Sequence, residues 1–224
     1  AKFAEEVIAP LHQIGDEQGC ELQQQRVQMP DGFKQAYSQF VQGGWAALSQ
    51  QEKYQGQALP VYLQSAFYEM IISANMAWGL VPTTTWGAIK TLQAHANTEL
   101  QQRYLSKLVS GEYTGTMCLT EPHCGTDLGL LNTKAQLQAD GSYRITGNKI
   151  FITSGDHDMS ENIVHLVLAR IVGAPNGTAG ISLFVVPKFL TEKTQNGVSD
   201  NQVSCTAVEH KMGLRASPTC ALAF

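Results

Sequence analysis

Apolar residues recur at helical spacing through the first half of the chain, and the punctuation changes after Gly111. Asp31 lies just ahead of Phe33, Ala36, Tyr37 and Phe40, the spacing of an amphipathic helix with Asp31 as its N-cap. Gly43-Gly44 is expected to stop it. From Val61 to about Gly79 the chain has too few polar positions for a solvated face, which predicts a helix buried on most sides. Pro82 is expected to open the next helix, through Trp86, Ile89 and Leu92. Asn97-Thr98 begins another, with Gln101 three residues after Thr98 as in a capping box. It presents Leu100, Tyr104, Leu105 and Leu108 and ends at Gly111. Trp45, Trp78 and Trp86 occupy apolar helical positions and are expected in the core.

Beyond Gly111 the segments shorten. Stretches 132–137 and 143–153 flank Ala139-Asp140-Gly141-Ser142, a glycine-containing hairpin turn, and Gly147-Asn148 marks a bend within the second stretch. Ile163 to Ile171 reads as a strand, residues 173–180 as a loop, and Ile181 to Val186 as a continuous apolar strand closed by Pro187. The segment Thr191 to Asn201 is polar, and strand-like residues return from Val203. Helices followed by antiparallel strands predict an α+β chain with segregated domains: a helical bundle at 1–113 and a β domain at 114–224.

Composition narrows the function classes. With 15 Lys+Arg against 19 Asp+Glu, the net charge is −4, and no basic cluster is present to grip nucleic acid. The most apolar stretch, Ile71 to Val81, falls short of the roughly 20 residues a membrane span needs. Cys20, Cys118, Cys124, Cys205 and Cys220 are scattered and odd in number, which argues against a disulfide framework and for a reducing, cytoplasmic setting. The chain starts without Met and ends in strand-like residues, so truncation at both ends is expected.

Candidate chemistry concentrates in one loop. Between Met117 and Gly129, Pro122 removes a donor, Gly125 frees the backbone, and Thr120, Thr126 and Asp127 add short polar groups. Such a loop either presents N–H groups and hydroxyls to an anion or polar heterocycle, or simply caps its neighbours. Cys118, His123 and Cys124, and separately Asp156, His157 and Asp158, lack the ligand spacing of a zinc site, so no metal is expected. No Walker A, G-x-G-x-x-G or G-x-S-x-G motif occurs.

Three segments then fall in a recognisable order. Residues 119–127, Leu-Thr-Glu-Pro-His-Cys-Gly-Thr-Asp, resemble the flavin-binding signature of the acyl-CoA dehydrogenase family. Residues 147–155, Gly-Asn-Lys-Ile-Phe-Ile-Thr-Ser-Gly, are similar to that family's second flavin-contacting segment. Residues 211–219, Lys-Met-Gly-Leu-Arg-Ala-Ser-Pro-Thr, resemble the stretch before the long strand of its β domain. Longer matches at 156–165, 180–188 and 209–213 resemble the 3-methylmercaptopropionyl-CoA dehydrogenase subgroup.

The resemblance implies an α-bundle, an antiparallel β-barrel-like middle domain and a further C-terminal helical bundle, assembled as dimers or tetramers. It implies FAD as cofactor, an acyl-CoA thioester as substrate and an electron-transfer flavoprotein as acceptor. By position, the backbone at Leu119 and the hydroxyl of Thr120 would meet the flavin's polar edge, with Gly125 in the same loop. Thr126 would contact the pyrophosphate, Phe151 would stand against the ring, and Thr153 would bond near N5. The implied reaction is α,β-dehydrogenation with hydride passing to N5, on 3-methylthiopropanoyl-CoA or another short or medium acyl-CoA. Its carboxylate base, a Glu, is expected beyond residue 224, leaving Glu121 structural and this piece inactive alone. Met117 and the pair His123-Cys124 depart from the family pattern, which has an aromatic and two small residues there. Rival readings are an acyl-CoA oxidase, a DNA-binding flavoprotein of the alkylation-defence type, and a binding module that has lost flavin.

Overall fold

The computed structural model describes residues 1–194 and 197–224, and side-chain surroundings for all of these except 191–194 and 197–198. The chain opens with a π-helical turn, Ala4–Ile8, and helix α1, Leu11–Gln18. A short hairpin follows, of strands β1 (Glu21–Gln23) and β2 (Arg26–Gln28). Helix α2 spans Phe33–Gln42 and buries the predicted face of Phe33, Ala36, Tyr37 and Phe40. Its cap is not Asp31. Gly32 precedes the helix in the left-handed region, at φ +84°. Asp31 is instead held in a reciprocal pair with Gln18, whose Nε2 donates to Asp31 Oδ2 at 3.0 Å and whose Oε1 accepts from Asp31 N–H at 2.9 Å.

The two expected helices from Val61 onward form one kinked element, α3, Val61–His95. The break is at Asn75, with φ −160° and ψ 94°, rather than between Gly79 and Pro82. Asn75 Oδ1 accepts from Trp78 N–H at 3.2 Å, so this buried Asn caps the second segment as an N-cap residue would. Pro82 therefore sits inside that segment. Helix α4, Thr98–Ser110, is capped by Asn97, whose side chain accepts from Leu100 N–H, and ends at Gly111 in the left-handed region. The capping box with Gln101 does not form. The Gln101 amide reaches back to the carbonyl of Ala96 at 2.9 Å and accepts from Tyr54 Oη at 2.6 Å.

After Gly111 come strands β3 (Tyr113–Cys118), β4 (Lys134–Leu137), β5 (Tyr143–Thr146), β6 (Asn148–Thr153) and β7 (Asn162–Ile171). Then follow β8 (Ile181–Pro187), β9 (Phe189–Thr194), β10 (Gly197–Asp200), β11 (Ser204–Val208) and β12 (Thr219–Ala223). The predicted hairpin at 139–142 joins β4 to β5, with Leu137 opposite Tyr143. The polar segment 191–201 contains the end of β9 and β10, and residues 195 and 196 lie outside the described residues.

Central strand β7 pairs antiparallel with β8 along one edge. On its other edge it pairs parallel with β3, from Tyr113↔Asn162 to Cys118↔Val167, and then with β4. The main sheet is thus mixed, where antiparallel pairing throughout was expected. A second, antiparallel sheet has the order β11-β12-β6. The α+β class stands.

Three cores follow from this layering. One joins α1, α2 and the stretch of α3 on both sides of its kink around Trp78, Phe33 and Phe40. A second packs α3 and α4 on the sheet through Leu105, Leu108, Val164 and Leu166. The third lies between the two sheets and contains Cys118, Ile152, Val167, Cys220 and Leu222. Gly115 allows the close approach of β3 to α3, since a Cβ there would lie 2.5 Å from that of Ala88. Among the described residues, no helix is long and apolar enough to cross a membrane.

Candidate functional site

The end of β3 runs into the loop 119–127, and this loop lies against β6. Glu121 and Cys124 close it as a tight turn, with Glu121 N–H donating to Cys124 O at 2.8 Å and Cys124 N–H to Glu121 O at 3.1 Å. Pro122 and His123 occupy its tip and are exposed. Thr116 Oγ1 donates to Thr153 O at 2.5 Å, Ile150 N–H to Thr120 O at 2.9 Å, and Lys149 Nζ to Leu119 O at 3.0 Å. Residues 116–120 and 149–153 are therefore pinned together.

This registration brings Leu119, Thr120, Phe151 and Thr153 onto neighbouring backbone. The strand bends to do it. Between Cys220 and Leu222 the β12–β6 register shifts, so that Cys220 faces Ile152 while Leu222 faces Lys149. Phe151 sits in the resulting bulge at φ +57°, a conformation that costs an aromatic residue roughly 1–3 kcal/mol. The bulge breaks the alternation of inward and outward side chains. Lys149 and Ile152 are both buried, and Phe151 is 56% exposed. Ser154, next after Thr153, is also left-handed, at φ +56°.

Thr120, Thr153 and Gly125 are half-buried and Thr126 is exposed, further along the loop. A Cβ at Gly125 would meet Thr120 Cγ2 at 3.4 Å, which places the two close together. Among the described residues, no partner is found for the hydroxyls of Thr120, Thr126 and Thr153 or for the N–H groups of Leu119 and Thr120. A set of unspent donors beside an exposed aromatic ring fits a planar heterocycle with polar edges, which is the chemistry of a flavin. The fit is to one wall of a cleft.

Behind this wall lies a buried ion pair that sequence reading missed. Lys149 is 0% exposed and its ammonium lies 2.9 Å from Glu121 Oε1. Glu121 also accepts from the N–H groups of Asn132 at 2.8 Å and Thr133 at 3.0 Å. Burial pushes the Glu121 carboxyl up, but the hydrogen bonds from Thr133, Lys149 and the backbone outweigh it and hold the group below its ordinary value. Its assignment as structural agrees with this engagement. The signal for Lys149 was faint, because a single Lys among β-formers ordinarily reads as the solvent-facing position of a strand.

Ligand atoms of Glu121, His123 and Cys124 lie within 4.8 Å of one another. A cation there would have to displace Lys149 and the backbone donors from the Glu121 carboxylate. His123 Nε2 is 2.9 Å from both Leu130 O and Asn132 Nδ2, and so braces the following turn. The second cluster is also committed. Asp156 pairs with Lys188, and His157 lies against Thr114 and Met159. All five cysteines are free thiols.

Residues 1–112 match the family model of the acyl-CoA dehydrogenase N-terminal domain, and residues 116–224 match that of the middle domain. The chain belongs to the acyl-CoA dehydrogenase family. It is 47% identical over 223 residues to the 3-methylmercaptopropionyl-CoA dehydrogenase of Ruegeria pomeroyi, covering all of this chain and 38% of that protein. It is 38% identical over 227 residues to a butyryl-CoA dehydrogenase of Syntrophomonas wolfei, covering all of this chain and 37% of the relative. Among solved structures, the acyl-CoA dehydrogenase of Bacillus anthracis complexed with FAD superposes with a TM-score of 0.77 at 24% identity. That match covers 99% of this chain and 33% of the other, and it shows the shared fold. The chain thus spans well under half the length of the curated relatives it matches.

Proposed function

We propose that this chain forms the helical and β portions, divided near residues 113 and 114, of an FAD-dependent acyl-CoA dehydrogenase. The observation that carries the reading is the pinning of Leu119-Thr120 beside Phe151–Thr153, which gathers unspent donors and an exposed ring on one surface. The family's Bacillus anthracis member, complexed with FAD, supports the choice of cofactor. FAD, when bound, supplies the two-electron acceptor for α,β-dehydrogenation of an acyl-CoA. The backbone of Leu119 and the hydroxyl of Thr120 donate to its polar edge, and Thr153 donates near the reactive nitrogen. Phe151 covers a face and keeps water off it, while Thr126 meets the pyrophosphate and Gly125 lets the loop lie close. Donors at that edge stabilise negative charge that arrives with the electrons.

Glu121 is committed to Lys149 and backbone N–H groups, so it is not free to take the substrate's α proton. We assign that step to a carboxylate elsewhere in the full-length protein. The names of the Ruegeria and Syntrophomonas relatives favour a short acyl group, with 3-methylthiopropanoyl-CoA the first candidate. An electron-transfer flavoprotein as acceptor, a homodimer or homotetramer, and a cytoplasmic setting complete the proposal.

The test is the absorption spectrum of the full-length protein, taken anaerobically during titration with a panel of short acyl-CoAs. Flavin bands that bleach with one thioester are expected, and Thr120→Val with Thr153→Val should weaken FAD retention or reduction. A colourless protein that cannot be reloaded with FAD would overturn the reading.

A further inference from the structure

Three successive residues of β6 act on the candidate flavin wall, each in a different way. Lys149 places its ammonium on the carbonyl oxygen of Leu119 at 3.0 Å. Ile150 donates its N–H to the next carbonyl, that of Thr120, at 2.9 Å. Phe151, at the bulge, turns its ring to the exposed side. The first of these contacts has an electronic consequence. Leu119 O and Thr120 N–H are the two ends of one trans amide, so they point in opposite directions. A cation on the buried oxygen draws charge through the amide and makes the N–H on the far side a stronger donor. That N–H has no acceptor among the described residues.

We propose that Lys149, clamped by Glu121, is a positioning residue that polarises the Leu119–Thr120 amide from behind and so strengthens the donor edge offered to a flavin. The proposal rests on the flavin reading above and goes beyond it by assigning work to a side chain that touches no cofactor. Burial gives the arrangement its strength. Lys149 is 0% and Glu121 is 3% exposed, so water does not screen the ammonium from the amide. The pair is neutral as a whole, but its positive end is the one on Leu119 O, while the carboxylate is tied back to Asn132 and Thr133. The resulting dipole favours the reduced, more negative state of a ring bound at that edge.

A purely mechanical role, holding the loop to β6, predicts loss of stability and of FAD but no change in potential once the loop is restored. The experiment therefore reads the flavin midpoint potential by anaerobic redox titration of the full-length protein. The variants are Lys149→Met, Lys149→Arg and the double variant Glu121→Gln/Lys149→Met. The double variant replaces a buried ion pair by neutral groups of similar size, an exchange that proteins often tolerate, so it preserves the test where the single change fails to fold.

The proposal expects the reduction equilibrium of Lys149→Met and of the double variant to fall about tenfold, some 30 mV for a two-electron couple. Lys149→Arg, which keeps the charge, should stay near the wild-type potential. A flavin-loaded double variant with the wild-type potential would overturn the proposal and leave the flavin reading intact. Full-length protein that takes up no FAD would overturn both.

Discussion

At the scale of single residues, the candidate site depends on a backbone state that its side chains disfavour. Phe151 holds φ +57° without the freedom of glycine, and it does so where β6 bulges against β12. The bulge changes the parity of the strand: strict alternation would put residues 149 and 151 on one face, whereas here Lys149 is buried and Phe151 is exposed. Two substitutions separate the strain from the ring. Phe151→Gly and Phe151→Ala both remove the ring and are expected to weaken FAD retention about tenfold, the worth of one aromatic stacking contact. The glycine variant alone relieves the backbone, and thermal unfolding should find it roughly 1–2 kcal/mol more stable than the alanine variant. Equal stabilities would mean that the bulge relaxes when the ring is gone. The residues themselves were legible in the motifs of 119–127 and 147–155, whose residue types suit donors and a ring. What no motif revealed was the left-handed turn, since neither Asn nor Gly marks the position. Lys149 stayed hidden for a related reason: the bulge carries it inward at a point where alternation would place it in solvent.

At the scale of elements, helix ends were easier to read than helix breaks. Gly111 closes α4 as its glycine announces, and Asn97 opens it with a side-chain bond of 2.9 Å to Leu100 N–H. Asn97→Ala should therefore cost about 1 kcal/mol, seen as a lowered midpoint in urea with an unchanged slope. A cap replaced by solvent at no cost would leave the midpoint where it was. The break in α3 went unread because Pro82 is the louder signal and Asn75 the operative one. Pro82 lies in the second turn of that segment, where it cannot donate to the carbonyl of Trp78, and nearby the hydroxyls of Thr83 and Thr85 bond the carbonyls of Gly79 and Val81. Strand pairing divided along similar lines. The turn chemistry of 139–142 fixes the β4–β5 hairpin locally, whereas β3 meets β7 in parallel across a long connection with no local signature. The asparagine and glycine signals act within a few residues, but the parallel pair joins Tyr113 to Asn162, in a sheet against which α3 and α4 pack.

At the scale of the whole molecule, a buried polar cluster ties the N-terminal hairpin to the β sheets, and it sets how the fold responds to acid. Asp156 accepts from Val27 N–H at 3.2 Å and pairs with Lys188, while Asp158 accepts from Met29 N–H at 3.2 Å. Beside them lies His157, 3% exposed. Met159 N–H donates to its Nδ1 at 3.2 Å, which leaves the ring proton on Nε2, directed at Thr114 Oγ1 3.1 Å away. The site is built for neutral imidazole. Burial, with Lys188 and His165 nearby, pushes the His157 pKa down from 6.5 to about 3. His165 is lowered in the same direction, burial outweighing its contacts with the carbonyls of Gly155 and Val186. The sign of the pH effect follows. Below pH 6.5 the unfolded chain takes up protons that the folded protein refuses, so stability is full above that pH and is lost as the pH falls toward 3. Each pH unit in that window should cost on the order of 1.4 kcal/mol for His157 alone, with His165 adding to it. Glu121, also lowered, adds its loss only at more acid pH, starting near its ordinary value of 4.5. Urea unfolding at pH 7.5, 6 and 5 should therefore show a steep fall in stability. His157→Gln keeps an acceptor for Met159 and a donor for Thr114 but cannot titrate, so it should flatten the pH dependence even where it lowers stability at neutral pH. A His157→Gln protein as acid-sensitive as the wild type would place the titrating group elsewhere, with His165, also buried and 2.9 Å from the carbonyl of Gly155, next in line.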